Sequence, residues 1–454
     1  MRAKKQSPAR NRGFFIAALG CPKNLVEAEI ISGTMLTAGY TLCFTPEDAD
    51  VYIVDTCAFL PAARSEAAGE IAAAVEWKRQ KNNREIVVAG CLLNHHDLPD
   101  FRQAYPEVDL WVPVDDTANI PAILAGTRKC GKITGDAKFL ADETLPRFQL
   151  TLPHIAYLKI SDGCNNHCAY CAIPKLRGEL RSRPMAGIVK EAAMLVANGV
   201  KELIVIAQDV TAYGQDRPES GENLTALLKA LEAIPGDFKI RLLYTHPAHY
   251  TGELIAFLAA STKVMPYLDM PLQHISDRIL KAMNRHIDTA GIKTLLKKLR
   301  QNIPGLVLRT TFITGLPGET EEEFAELEEF IREQKFERLG VFPYAPEPGS
   351  KAAAMPDIPS AETAAARAEK IMKAQVARMK RRSTALIGTQ MEVLVDQIDE
   401  DIAIARGVWD APDIDNVVYI VNAARIKEGD RLLVRITSRH DCDLIAEKIR
   451  KIKK

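Results

Sequence analysis

The sequence predicts an α/β protein in three parts: an N-terminal doubly wound parallel α/β domain, a partial (βα)6 barrel, and a small all-β domain at the C-terminus. Three observations predict it. Within the first 130 residues, "GFFIAALGC", "ADVYIVDTC" and "REIVVAGC" are apolar runs of strand length, each closed by a cysteine and separated by helical stretches. From residue 154 onward, six β-rich runs alternate with helical segments. Past residue 384 the alternation gives way to short strands bounded by Asp, Gly and Asn.

The elements follow in order. Residues 1–12 form a tail with five basic residues and no acid. It lacks an apolar core and a cleavage site, so a secretory signal is not expected here. Residues 13–130 hold the three cysteine-terminated strands, ending at Cys21, Cys57 and Cys91, with helices expected over 26–38 and 64–80. Cysteines at the carboxyl ends of three strands of one doubly wound sheet converge on one edge, where such folds bind ligands. The competing reading is three unrelated buried cysteines, since cysteine is often buried.

A linker is expected over 131–150, then a core over 151–382. Its strands are "HIAYLKI", "KELIVIAQ", "KIRLLYT", "PYLDMP", "LVLRTTFI" and "RLGVFPY", with helices over 185–198, 223–233, 252–260, 289–301 and 321–334. Six strands suggest an open barrel, with its site at the carboxyl ends of the strands. Gln208, Thr245, His246, Gln273 and His274 fall at such ends and are candidates to line a pocket. "GLPGET" reads as a tight turn with a helix cap at Thr320. A helix over 361–382 leads to the third domain, 384–454, whose strands include "MEVLVDQI", "VVYIVN" and "RLLVRI".

Composition bounds the chemistry. With 454 residues, 47% of them hydrophobic and 26% charged, the chain reads as a globular protein too long for one core. Lys+Arg and Asp+Glu both total 59, so no net field draws it to nucleic acid or to a membrane surface. No apolar run is long enough to span a bilayer, and a cytoplasmic location is expected. Nine cysteines, an odd number, in a reducing compartment point to metal or redox use rather than to a disulfide framework. Cys43, Cys130 and Cys442 lack the pattern of the others and read as incidental.

The sharpest signal is "SDGCNNHCAYCAIPKLRG", which sets Cys164, Cys168 and Cys171 in C-x3-C-x2-C spacing. A structural zinc site wants four ligands, usually in two separated pairs. Three thiolates on a cubane iron–sulfur cluster would leave one iron open, which is useful when a small molecule coordinates it. The alternative is a zinc loop completed by His167.

This spacing, with Tyr170 just before the last cysteine, resembles the signature of the radical S-adenosylmethionine (SAM) superfamily. The resemblance implies a 4Fe–4S cluster on Cys164, Cys168 and Cys171, with SAM on the open iron. One electron would then cleave SAM to methionine and a 5′-deoxyadenosyl radical that abstracts hydrogen. Tyr170 and Gln208 are candidates for the SAM pocket.

With the strand-end cysteines added, the chain resembles the methylthiotransferases from about Phe14 to about Ile452. That resemblance implies a second, auxiliary 4Fe–4S cluster on Cys21, Cys57 and Cys91 and a C-terminal TRAM domain. "LGCPKN" (19–24) and "WDAPDIDNVVYI" (409–420) look like the RimO branch. For that branch the implied target is an aspartate of small-subunit ribosomal protein number twelve. A methylthio group replaces a hydrogen on its β-carbon, with SAM as radical source and methyl donor and a flavodoxin or ferredoxin as electron donor. The alternative is a transfer RNA nucleoside methylthiotransferase. A non-catalytic iron–sulfur ribosome-binding factor is a third class, disfavoured by the open three-cysteine site. Residues 384–454 carry eleven Lys+Arg against thirteen Asp+Glu, which favours a basic protein partner over RNA.

Overall fold

The computed structural model describes residues 12–132 and 138–452. The basic tail expected over 1–12 therefore lies outside the described residues, Arg12 excepted, as do residues 133–137 of the expected linker.

The N-terminal part runs β1 (Gly13–Ala18), α1 (Pro22–Thr37), β2 (Thr41–Leu42), β3 (Val51–Thr56), α2 (Pro61–Arg79), β4 (Glu85–Gly90), α3 (Leu98–Ala104), β5 (Leu110–Trp111) and α4 (Ile120–Leu124). Its strands form one parallel sheet in the order β2-β1-β3-β4-β5. Every residue of β3 is buried, as expected for a parallel strand covered on both faces. The register pairs Ala18 with Asp55 and Thr56 with Gly90, so β1, β3 and β4 end level. Helix α1 starts at Pro22, four residues before the expected 26, because proline suits the first helical turn although the residues between it and Leu25 are polar.

The core runs β6 (Ile155–Lys159), β7 (Ser161–Asp162), α5 (Ile173–Arg177), β8 (Arg181–Ser182), α6 (Met185–Ala197), β9 (Glu202–Ile206), α7 (Leu224–Glu232), β10 (Lys239–Leu242), α8 (Gly252–Ala260), β11 (Val264–Asp269), α9 (Asp277–Ala282), α10 (Thr289–Asn302), β12 (Val307–Thr314), α11 (Glu321–Gln334) and β13 (Arg338–Pro343). Six parallel strands stand in the order β13-β12-β11-β10-β9-β6, an open barrel. Residues alternate along each strand. Leu158, Leu203, Val205, Leu242, Leu268 and Leu308 pack with the helices. The alternate set, including Tyr157, Glu202, Arg241, Tyr267 and Arg309, faces the concave interior. Thr320 caps α11 in a reciprocal capping box with Glu323, as the sequence predicts.

Helix α12 (Ala361–Ala385) leads to β14 (Gln390–Asp399), β15 (Ile402–Gly407), β16 (Val418–Val421), β17 (Arg431–His440) and β18 (Asp443–Lys451). These close a barrel in the order β14-β15-β16-β18-β17. No helix among the described residues is long and apolar enough to cross a membrane.

The concave interior is filled from two sides. Val26 and Ile30 of α1 and Trp409 and Ala411 of the C-terminal barrel pack in one cluster with Tyr157, Ile204 and Tyr267. Charged groups brace this plug. Glu202 accepts from Arg241 at 2.6 Å and from Arg406 of the C-terminal barrel at 3.1 Å, and all three are buried. Burial raises the Glu202 carboxyl, but the two guanidinium groups outweigh it and hold the pKa at about 2.

Glu202→Gln leaves two buried cations underpaired and is expected to destabilise the fold by about 3–5 kcal/mol. Since the folded pKa is depressed, the contribution of Glu202 is present above its ordinary value of 4.5 and is lost as pH falls towards 2. Urea unfolding of both proteins at pH 7 and again near pH 3 should show the gap narrowing in acid. An equal gap at both pH values would remove Glu202 from this role.

Candidate functional site

A cavity of about 450 Å³ opens between the level edge of the N-terminal sheet and the carboxyl ends of the core strands. All six cysteines singled out from the sequence line it, together with Tyr170 and Gln208. Cys43, Cys130 and Cys442 do not line it. The Sγ atoms of the first two lie 3.4 Å from the Asp48 carbonyl and 3.5 Å from the Trp111 carbonyl.

The first triad is built by backbone close approach. Gly20 has φ 91°, and a Cβ there would come within 2.4 Å of the Cys57 Cβ. Gly90 has φ 93°, and a Cβ there would meet the Thr56 carbonyl at 2.4 Å. Glycine is thus required just before Cys21 and Cys91 for the strand ends to crowd together. Asn24 joins them: its Oδ1 lies 3.8 Å from the sulfurs of both Cys21 and Cys91, while its Nδ2 donates to the Thr56 carbonyl at 2.9 Å.

The second triad lies on the loop after β6. The Cys171 N–H donates to the Cys168 carbonyl at 3.0 Å, and the Ala169 N–H ties the loop to the Met283 carbonyl at 3.0 Å. Arg285 is buried behind it and donates to Cys168 Sγ at 3.3 Å and to the Tyr170 hydroxyl at 3.2 Å.

Charge is arranged around the sulfurs. Burial pushes the Cys164 thiol up to about 11 and those of Cys171 and Cys91 up to about 12. Burial also acts on Cys21, but neighbouring Lys23 and backbone N–H groups outweigh it and lower its pKa. Buried thiols of this kind ionise on binding metal, and the guanidinium groups of Arg177 and Arg285 are placed to pair with the resulting charge.

The donor set fits iron–sulfur better than zinc. Among the described residues, the groups whose ligand atoms all lie within 4.8 Å of one another are His95–His96–Asp97 and Asp209–His246–His249. Neither cysteine triad is that tight, whereas a single tetrahedral zinc would hold sulfurs roughly 3.8 Å apart. The wall also fits a polar cofactor. His246 Nε2, Gln208 Oε1 and Gln273 Oε1 are buried without a partner, and all three residues line the cavity. His246 Nδ1 accepts from the Ala248 N–H, so Nε2 carries the proton and offers a donor.

Of the remaining strand-end candidates, Thr245 joins the cavity and His274 does not. The ring of His274 turns to the Ser276 N–H and lies 3.6 Å from Glu319.

Sequence reasoning missed the bridge between the two sheets. Arg177, at the end of α5, donates to Cys91 Sγ at 3.0 Å, to Asn24 Oδ1 at 3.2 Å and to Glu27 Oε2 at 3.0 Å. Lys159 joins Glu27 at 2.8 Å and Asp162 at 2.6 Å. The available signal was a glutamate on a helix face otherwise bound for the core.

Comparison with known proteins agrees with this architecture. The Radical SAM superfamily profile matches residues 158–331, the Uncharacterized protein family UPF0004 profile residues 13–113, and the TRAM domain profile residues 387–449. The superfamily match carries SAM and a 4Fe–4S cluster with it. The ribosomal protein uS12 methylthiotransferase RimO of Akkermansia muciniphila is 42% identical over 455 residues, covering 95% of this chain and 99% of that one. RimO of Bdellovibrio bacteriovorus is 39% identical, covering 98% and 99%. Among solved structures, the radical SAM methyltransferase TsrM of Kitasatospora setae shares the fold at TM-score 0.57 and 12% identity, over 76% of this chain and 77% of that one. Identity of this order over nearly the whole length decides the family: the chain belongs to the RimO methylthiotransferases of the radical SAM superfamily.

Proposed function

We propose that this chain places a methylthio group on the β-carbon of an aspartate of ribosomal protein uS12. The observation that carries the reading is the meeting of two cysteine triads in one cavity. Cys164, Cys168 and Cys171 would hold the 4Fe–4S cluster that binds SAM, and Cys21, Cys57 and Cys91 an auxiliary 4Fe–4S cluster. When bound, SAM supplies the hydrogen-abstracting radical and the methyl group. The protein's part is to bring a sulfur-bearing site and a radical-generating site to one acceptor atom, and to keep water out. Arg177 and Glu27 fix the distance between the two sites. A flavodoxin or ferredoxin is the class of electron donor such a site takes.

The relatives' names give uS12 as the substrate. The charge of the C-terminal barrel supports a basic protein partner less strongly than composition alone suggests. Asp410 pairs with Arg338, Asp415 accepts from the Tyr267 hydroxyl at 2.5 Å, and Asp396 holds Arg406 at 2.5 Å, so these acids are used within the chain. The hairpin acids Asp399, Glu400 and Asp401 remain exposed and form the patch offered to a basic partner.

Mass spectrometry of ribosomes and transfer RNA from a strain lacking this chain tests the reading. The expected result is loss of one methylthio group, a mass increment of about 46 Da, from uS12, with transfer RNA nucleosides unchanged. Loss from transfer RNA alone would replace uS12 by a nucleoside as the acceptor.

A further inference from the structure

Three lysine or arginine side chains line the cavity, and two of them are engaged within the protein. Arg177 binds Cys91 and Glu27, and Arg285 binds Cys168, Tyr170 and the Pro271 carbonyl. Lys23 is the third. It follows Cys21 in the first turn of α1 and is half-buried, and its Nζ lies 3.4 Å from the centroid of the Tyr244 ring. Among the described residues it has no hydrogen bond and no salt bridge.

The surroundings favour an anion at this point. Tyr244 holds φ 63°, a region a bulky residue rarely adopts, and its N–H donates to Asp269 Oδ2 at 3.0 Å. Strain of this kind persists where the surroundings hold the residue in place, and here it accompanies a ring set under Lys23. The first turn of α1 contains no acidic residue and no side-chain cap, so the positive end of the helix adds to the ammonium charge. An ammonium that rests on a ring face, with Cys21 and Asp269 near it but not hydrogen-bonded to it, gains a charge-assisted hydrogen bond from an incoming carboxylate.

We propose that Lys23 binds the side-chain carboxylate of the acceptor aspartate and thereby selects aspartate over its amide. The assignment rests on the uS12 reading above. SAM also carries a carboxylate. Lys23, however, stands beside Cys21 on the N-terminal sheet, while the cluster expected to take SAM belongs to the loop after β6. Selection follows from the bond itself: an asparagine acceptor would offer the ammonium a neutral carbonyl in place of a charge-assisted partner.

The test uses the full chain, reconstituted anaerobically, and small ribosomal subunits whose acceptor residue, mapped by mass spectrometry, is either Asp or Asn. Subunit affinity and SAM affinity are measured separately. Wild type should prefer the Asp subunit by roughly ten- to a hundred-fold. In Lys23→Met that ratio should collapse towards one, and in Lys23→Arg most of it should survive. Undiminished preference in Lys23→Met overturns the assignment and leaves the uS12 reading standing. A fall in SAM affinity with the Asp/Asn ratio intact gives the carboxylate to SAM and also overturns it. Wild-type action on transfer RNA, with no discrimination between the two subunits, overturns both readings together.

Discussion

Replacing Cys164, Cys168 and Cys171 together by alanine is expected to halve the iron of the anaerobically reconstituted protein, from about eight to about four per chain. It should also reduce 5′-deoxyadenosine formation to the assay background. The three thiols share one loop, and Arg285 behind Cys168 keeps charge available to them. The other cysteines lining the cavity stand on the facing sheet edge, where Asn24 and Arg177 hold Cys91 and Asn24 also holds Cys21, which keeps these two from replacing a lost ligand. The loop itself should survive, because its anchors to Met283 and Gly178 are backbone hydrogen bonds. Iron analysis and chromatography of SAM cleavage products check both halves. Continued cleavage of SAM by the triple variant would remove these residues as the cluster ligands.

The parts of this site readable from sequence were those that depend on neighbours along the chain. Cys164, Cys168 and Cys171 are eight residues from end to end, and the strand–cysteine endings at Cys21, Cys57 and Cys91 repeat a local pattern. Strands β15 and β18 carry little strand signal of their own. "IAIARG" carries alanines of low strand propensity, and "DLIAEKIRK" is rich in charge, so their pairing depends on barrel closure rather than on composition. The interior plug was hidden for a related reason. Glu202, Arg241 and Arg406 are far apart in sequence, and each alone reads as a surface charge. Only the strand alternation that turns Glu202 and Arg241 inward, with the C-terminal barrel delivering Arg406 to them, makes them a buried unit. The acids of "WDAPDIDNVVYI" mislead in the same way, since a net charge count does not distinguish Asp415 on Tyr267 from Asp399 in water.

The complementary triple replacement, Cys21, Cys57 and Cys91 to alanine, is expected to separate radical generation from sulfur transfer. The product carries a new carbon–sulfur bond, and a carbon radical is useful only with a sulfur source within bonding reach. If the auxiliary site holds that sulfur, methylthiolation of uS12 should fall below detection while 5′-deoxyadenosine still forms at a rate within several-fold of wild type. The bridge between the sheets gives reason to expect an intact core. Arg177 loses Cys91 but keeps Glu27 and Asn24, and Lys159 keeps Glu27 and Asp162. The sheet edge itself is set by Gly20 and Gly90, which are unchanged. Iron should again settle near four per chain, now on the core loop, and measuring it alongside product guards against reading a collapsed domain as lost chemistry. With that iron retained and SAM still cleaved, absence of the methylthio product assigns sulfur delivery to the N-terminal triad. Product at the wild-type yield in the same preparation would take that role away from it.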